Sequence, residues 1–447
     1  MKRRQFFGSS VLAGAAASGI SCAQETPQEQ APALTVPSVT DNNGRLAGKT
    51  LEELREECRY WLIDDYLPFL SKHVVDHEHG GFMCTTDRDG TNINTNKRTW
   101  YEGRGTWIAS HFNNTIQNDA EQVEIARKSV EFIMKQNPMR SELMPSGYTR
   151  EGKPLKNEPD SIFYGDMFVA NGFQEYSEAS GDPKYWDMAK QIVIKCLDIY
   201  DNREGYGTIP ATGDQPEIDR PRMIGHWFMM LRCTTQMLEK RDDAELKAIN
   251  DRAIDAIMNR HMNPEYELIN EFTNHDFSRI ESDMGQQVTG HSPETLWMVL
   301  AEAVRRKDNA LFDRAAKSLK RHIEVLWDDV YGGMMGALTH VNRNEWNTSK
   351  SLWLQEEILI GTLIVIEHTG ADWAKEWYTR MHTYIMDKFP LKKHGYPLWI
   401  LYSDRKMTYD EHTTRVGNFH HPRQLMINMK ALDRMIERGG KLSGHFE

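Results

Sequence analysis

Two stretches of the chain set a histidine two residues before a proline where an amphipathic run begins. One is GHSPETLW, with His291 and Pro293; the other is FHHPRQLM, with His420 and Pro422. Leu296, Leu300 and Ala303 continue an apolar stripe behind the first, and Leu425, Met429, Leu432 and Ile436 continue one behind the second. Ser292 and His421 fit the cap positions, and each proline fits the first helical position. His291 and His420 are therefore expected just outside two helix N-termini. The positive end of each macrodipole disfavours imidazolium there, so both rings are expected to be neutral acceptors near pH 7. Two bases carried by different helix starts can stand on opposite faces of one substrate. Removing a proton from carbon on one side and returning it on the other needs that arrangement. One such histidine alone reads as a packing or capping group; the matched pair carries the chemical reading.

Other residues of the right type lie nearby in pattern. Arg104, in KRTWYEGRGTW, follows Trp100 by one helical turn. Among aromatic rings it offers donors to an oxyanion, with a salt bridge to Glu102 or Glu357 as the bland alternative. Glu294 and Trp297 share a helix face, as do Trp353 and Glu357 four apart, so each pair sets a carboxylate beside an indole. Such pairs suit a pocket for the apolar face of a sugar ring. His226, in RMIGHWFMML, is either a satisfied core group or a third polar residue of the site. No HExxH and no acidic cluster at ligand spacing accompanies the histidines, so no metal and no cofactor are expected. Glu294 and Glu357 are also the pair a glycoside or unsaturated-uronide hydrolase would need, and their separation decides between the readings. A non-catalytic sugar-binding protein is a third reading.

The elements that must position these groups are mostly helical. Amphipathic segments fall near 51–73, 100–117, 119–136, 162–179, 183–200, 218–240, 243–262, 291–306, 308–326, 349–369, 371–388 and 421–437. A faint internal repeat joins GGFMCTTDRDG and Lys97-x-x-Trp100 to GGMMGALTHVNRNEW and Lys350-x-x-Trp353; a weaker third copy is GYPLWILYSDRKM near Gly395. Gly-Gly and short alternating runs in each copy predict a hairpin before the helix. Twelve paired helices with repeated loops predict an all-α toroid of inner and outer helix rings, with long loops and short β-hairpins at one mouth.

The chain has 447 residues, 39% hydrophobic and 27% charged, enough for a large core. Its net charge of −11 and the lack of a basic stripe exclude a nucleic-acid binder. Residues 1–23 read as a twin-arginine signal segment with Arg3 and Arg4, which predicts export to the periplasm. A peptidase site before Gln24 and an imperfect lipobox before Cys22 both remain open; the second would leave a lipid anchor on Cys22. Residues 24–48 read as a flexible linker and 49–447 as one domain. No membrane span is expected, and the remaining cysteines, Cys58, Cys84, Cys196 and Cys233, read as buried thiols.

GGF with DRDG, the segment ending at Arg104, GHSPETLW, KSLWLQEEIL and FHHPR, in that order, resemble the N-acylglucosamine 2-epimerase family from about Leu51 to about Arg438. That family includes cellobiose 2-epimerases and mannose-type aldose–ketose isomerases. The resemblance implies an (α/α)6 barrel and a small sugar substrate. It also implies His291 and His420 as the proton-transferring pair, with Glu294, Arg104, Trp353 and Glu357 at the sugar. Two positions depart from the family pattern: Leu352 stands for the first of a usual tryptophan pair, and Arg222 stands where cellobiose-type members tend to have Asn. A monomer or homodimer is expected, with no nucleotide requirement.

Overall fold

The computed structural model describes residues 38–446 except 88, 156–162, 208–216, 281–286 and 391–416. The signal segment, the linker before Ser38 and the weak third hairpin lie outside the described residues.

Helix starts and stops are chemically marked. Thr50 and Glu53 form a reciprocal capping box on α1 (Leu51–Arg59). That helix runs on through wider-wound turns at Tyr60–Tyr66 and Leu70–Val74, with the short α2 (Leu67–Phe69) between them. Asp119, Asp243 and Asp308 cap α4 (Ala120–Met134), α8 (Ala244–Asp255) and α10 (Asn309–Leu326) through backbone N–H groups. Gly181 and Gly370 close α5 (Tyr164–Ser180) and α11 (Leu352–Thr369) in the left-handed conformation, φ 69° and 63°.

Six helices form an inner ring: α3 (Thr99–Thr115), α5, α7 (Ile224–Lys240), α9 (His291–Arg306), α11 and α13 (His420–Glu437). Each packs on its sequence neighbour in the ring, and α13 returns to α3 to close it. The outer ring is α4, α6 (Lys184–Asp201), α8, α10, α12 (Asp372–Lys388) and α1, each against its inner partner. Burial follows this division. Every residue of α5 from Tyr164 to Ser177 is buried, whereas α10 buries one stripe, including Phe312, Ala315, Leu319 and Ile323. Inner helices α3 and α5 touch backbone to backbone: a Cβ on Gly103 would lie 2.2 Å from the Phe168 carbonyl carbon. The chain thus forms the expected (α/α)6 barrel.

The internal repeat is reproduced in hydrogen bonds. Hairpins pair Thr85–Thr86 with Asn92–Asn94 and Ala337–His340 with Glu345–Asn347. In the first copy the buried Lys97 Nζ lies 3.0 Å from Asp76 Oδ2, and Glu102 Oε1 accepts from Phe82 N at 3.0 Å. In the second, Lys350 Nζ lies 2.7 Å from Asp328 Oδ2, and Gln355 Oε1 accepts from Met334 N at 2.7 Å. Each lysine anchors the Asp that begins the Gly-Gly turn, which fixes the loop against the following inner helix.

Three expectations are corrected. Residues 38–48 are not a flexible linker: Val39 and Leu46 are buried, and Val39 N donates to Gly440 O. The helix expected from 218 begins at Ile224, because Arg222–Met223 pairs as a strand with Phe272–Thr273. Helices α9 and α13 begin at His291 and His420, with Gly290 and Phe419 as caps, so the prolines fall at the third helical position. The four expected thiols are free and buried. Among the described residues no helix is long and apolar enough to cross a membrane.

Candidate active site

The groups singled out in the sequence lie at the N-terminal ends of the inner helices: Trp100 and Arg104 on α3, His226 on α7, His291 on α9, Trp353 on α11 and His420 on α13. Their contacts bring several of them together. The Trp353 ring lies 5.7 Å from His291 and 5.2 Å from His420, centroid to centroid, so one indole adjoins both imidazoles. Helix N-termini gathered at one mouth also favour negative charge that develops there.

Each histidine is held through Nδ1 by its own carboxylate. His291 Nδ1 lies 2.9 Å from Glu271 Oε1, while Thr289 Oγ1 donates to Glu271 Oε2 at 2.5 Å. His420 Nδ1 lies 2.8 Å from Glu357 Oε1. A protonated Nδ1 donating to a carboxylate leaves Nε2 as the working nitrogen. Both rings keep some exposure, 33% for His291 and 18% for His420.

The two carboxylates are not equivalent. Among the described residues Glu271 forms its ion pair with His291. Burial opposes charge on that ring, yet Glu271 outweighs it and pushes the pKa up to about 9. Glu357 is shared: it forms an ion pair with Arg423 and accepts from Trp297 Nε1 at 2.6 Å. Burial, reinforced by the Arg423 guanidinium, holds His420 well below the usual imidazole value. The expectation of two neutral rings holds for His420 and fails for His291, because a full carboxylate charge at hydrogen-bond distance overrides the helix dipole.

Arg104 packs among aromatic rings. Its guanidinium lies over Phe168 at 4.2 Å, Trp100 at 4.9 Å and Phe419 at 5.1 Å. It makes no hydrogen bond or ion pair with any described residue, and its Nε is buried without a partner. The alternative salt bridges do not form: Glu102 accepts from Phe82 N and Ser129 Oγ, and Glu357 pairs with Arg423.

Glu294 and Trp297 are placed differently from expectation, and His226 takes the core placement of its two alternatives. Glu294 does not hold His291. It accepts from Arg423 Nη2 at 2.8 Å and lies 4.0 Å from His420 Nδ1. Glu294, Glu357 and His420 present ligand atoms within 4.8 Å of one another, and the Arg423 guanidinium bonds both carboxylates, so a cation is already built in. Two carboxylates clamped on one arginine do not flank a glycosidic bond, which counts against the hydrolase reading. Trp297 is 2% exposed and sits beneath the histidines, where it fixes Glu357 between Arg423 and Arg232. His226 is fully buried in an aromatic cage of Phe163, Tyr164 and Tyr200.

Three polar residues at this mouth escaped sequence reasoning. Glu271 follows a two-residue strand and has no periodic signal. Arg423 stood in plain view in FHHPR, but its two carboxylate partners lie on other helices. Tyr164 opens α5, and its buried hydroxyl has no hydrogen-bond partner among the described residues. Burial, with Glu271 and Glu294 nearby, keeps that hydroxyl protonated.

Fold and site together define an (α/α)6 barrel with two histidines, each held by its own carboxylate, at one mouth. The chain belongs to the N-acylglucosamine 2-epimerase family, whose model matches residues 56–424, and with it to the carbohydrate epimerases and isomerases. It is 23% identical to mouse (Mus musculus) N-acylglucosamine 2-epimerase over 416 residues, 87% of this chain and 96% of the relative. Among solved structures it is similar to cellobiose 2-epimerase from Bacillus thermoamylovorans (TM-score 0.71, 16% identity, 85% of this chain and 99% of that one). It is also similar to a D-mannose isomerase (TM-score 0.65, 15% identity, 90% and 100%).

Proposed function

We propose that the protein interconverts C2 epimers of an aldose or N-acylhexosamine through a cis-enediolate, with His420 and His291 as the two proton carriers. The observation that carries this reading is the pair itself: two imidazoles, each held through Nδ1 by a separate carboxylate and both against Trp353. In the resting state His420 Nε2 takes the C2 proton of the open-chain sugar. The C–H electron pair moves into a C1–C2 double bond, and negative charge develops on O1. Arg104 faces that oxygen with donors that no other described group uses. His291 returns a proton to C2 from the opposite face, inverting the centre. The reverse direction exchanges the roles, and the more open His291 re-equilibrates with solvent. Delivery of a proton to C1 instead would give the ketose.

The twin-arginine segment supports a working place outside the cytoplasm, tested by whether Arg3→Lys with Arg4→Lys retains the protein inside. The test of chemistry is proton NMR in D2O with glucose, mannose, N-acetylglucosamine, N-acetylmannosamine and cellobiose. Deuterium should enter C2 of at least one sugar. His291→Ala and His420→Ala should each slow entry by about 10²-fold or more, the usual weight of a positioned acid or base. Exchange that persists in both variants would overturn the reading.

A further inference from the structure

The opposite mouth of the barrel, where the inner helices end, holds a second cavity of about 530 Å³, within the size range of small-molecule sites. It is separated from the histidines by a floor that includes Trp107, Trp297 and Arg232. Arg232 is the unusual member. It is 6% exposed and packs between the Trp107 and Trp297 rings, 5.0 Å from each. It makes no hydrogen bond or ion pair with any described residue, and its Nε is buried and unpartnered. A buried guanidinium without a counter-ion is costly, because desolvation is not offset by pairing. Nothing in the proton-transfer chemistry uses it.

The charge around it has one sign in excess. Arg434 and Arg438 both bind the single carboxylate of Glu367. Lys430 lines the same cavity and makes no ion pair with a described residue. Glu357, Glu239 and Glu294 favour charge on Arg232 and Arg423 opposes it, yet none of these carboxylates forms an ion pair with it. Helix C-termini at this end favour cations, which accounts for Arg434 and Arg438 but not for Lys430 or Arg232, which sit mid-helix.

We infer that this cavity is a second ligand site, for a small organic or inorganic oxyanion (carboxylate or phosphate) whose charged group reaches Arg232 while Lys430 closes over it. The aromatic flanks leave the guanidinium edge as the recognition element, a fork suited to two oxygens. Occupancy has a direct route to the other mouth: Trp297 stacks on Arg232 and donates to Glu357, which holds His420. That link rests on the proposed role of His420; the binding itself does not.

The test is titration of the purified mature chain with inorganic phosphate, citrate and acetate at constant ionic strength, followed by tryptophan fluorescence and calorimetry, with glycerol as the neutral control. At least one anion should bind saturably; phosphate alone or the carboxylates alone assigns the class. Arg232→Met should weaken binding by about tenfold or more, as expected for loss of a charge-assisted hydrogen bond. Lys430→Ala should weaken it less and leave C2 exchange without added anion unchanged. Arg104→Met and His420→Ala should bind as the wild type does, even where C2 exchange is lost. No saturable binding by any anion would overturn the inference. So would binding that survives Arg232→Met, or that disappears in Arg104→Met and thus belongs to the front mouth.

Discussion

Glu271→Gln isolates the feature that makes the two histidines different. The substitution keeps the shape and an acceptor oxygen for His291 Nδ1 but removes the charge that pushes the imidazole up to about 9. Without it, burial is left as the main influence, and His291 falls to its ordinary value of about 6.5 or lower. At pH 7.5 the protonated fraction then drops from about 97% to about 9% or less, roughly a tenfold loss of the acid form. The alkaline limb of the pH–kcat/KM profile should move from near 9 to below 7, while the acid limb, which belongs to His420, stays in place. As pH falls towards the lowered His291 value the variant should regain activity relative to pH 7.5, and that recovery separates an ionisation effect from simple misfolding. The assay is initial-rate C2 exchange from pH 5 to 10. An alkaline limb unmoved in Glu271→Gln would refute the assignment of His291 as the resting acid.

Stability follows the same linkage. A group raised on folding contributes fully below its unfolded value, near 6.5, and loses that contribution as pH rises through about 9. The wild type should therefore lose urea resistance across that window, and Glu271→Gln should not.

Other substitutions probe the frame. Lys350→Met leaves the Asp328 carboxylate buried without its cation and should cost about 3–5 kcal/mol in urea unfolding, with Lys350→Met/Asp328→Leu recovering much of it. A Cβ on Gly225 would lie 1.4 Å from Tyr164 Oη, so Gly225→Ala should lower Tm, and adding Tyr164→Phe should restore most of the loss. Trp297→Phe removes the indole donor to Glu357 and should lower kcat about tenfold with little change in KM. Trp353→Ala removes the wall shared by both imidazoles and should raise KM by a comparable factor.

The outer helices were legible because they bury one stripe at 3.6-residue spacing, and the inner ones because long apolar runs end at chemically marked starts and stops. The hairpins were legible because Gly-Gly turns and Lys-x-x-Trp recur. What periodicity cannot show is which groups from distant segments meet. Glu271 stands twenty residues before His291 on an irregular stretch, so its charge leaves no trace in the His-x-Pro pattern. Arg423 was visible beside His420, but its grip on Glu294 and Glu357 exists only once three inner helices close together. This explains why one local device yields two ionisation states. A helix N-terminus contributes about half a charge, worth at most about 2 kcal/mol, and acts alike on both rings. Glu271 adds a carboxylate whose ion pair, among the described residues, is with His291, so His291 holds its proton. Glu357 already answers to Arg423, and its negative charge is neutralised before it reaches His420. The sequence repeats the helix start, and the tertiary counter-ions decide which copy becomes acid and which becomes base.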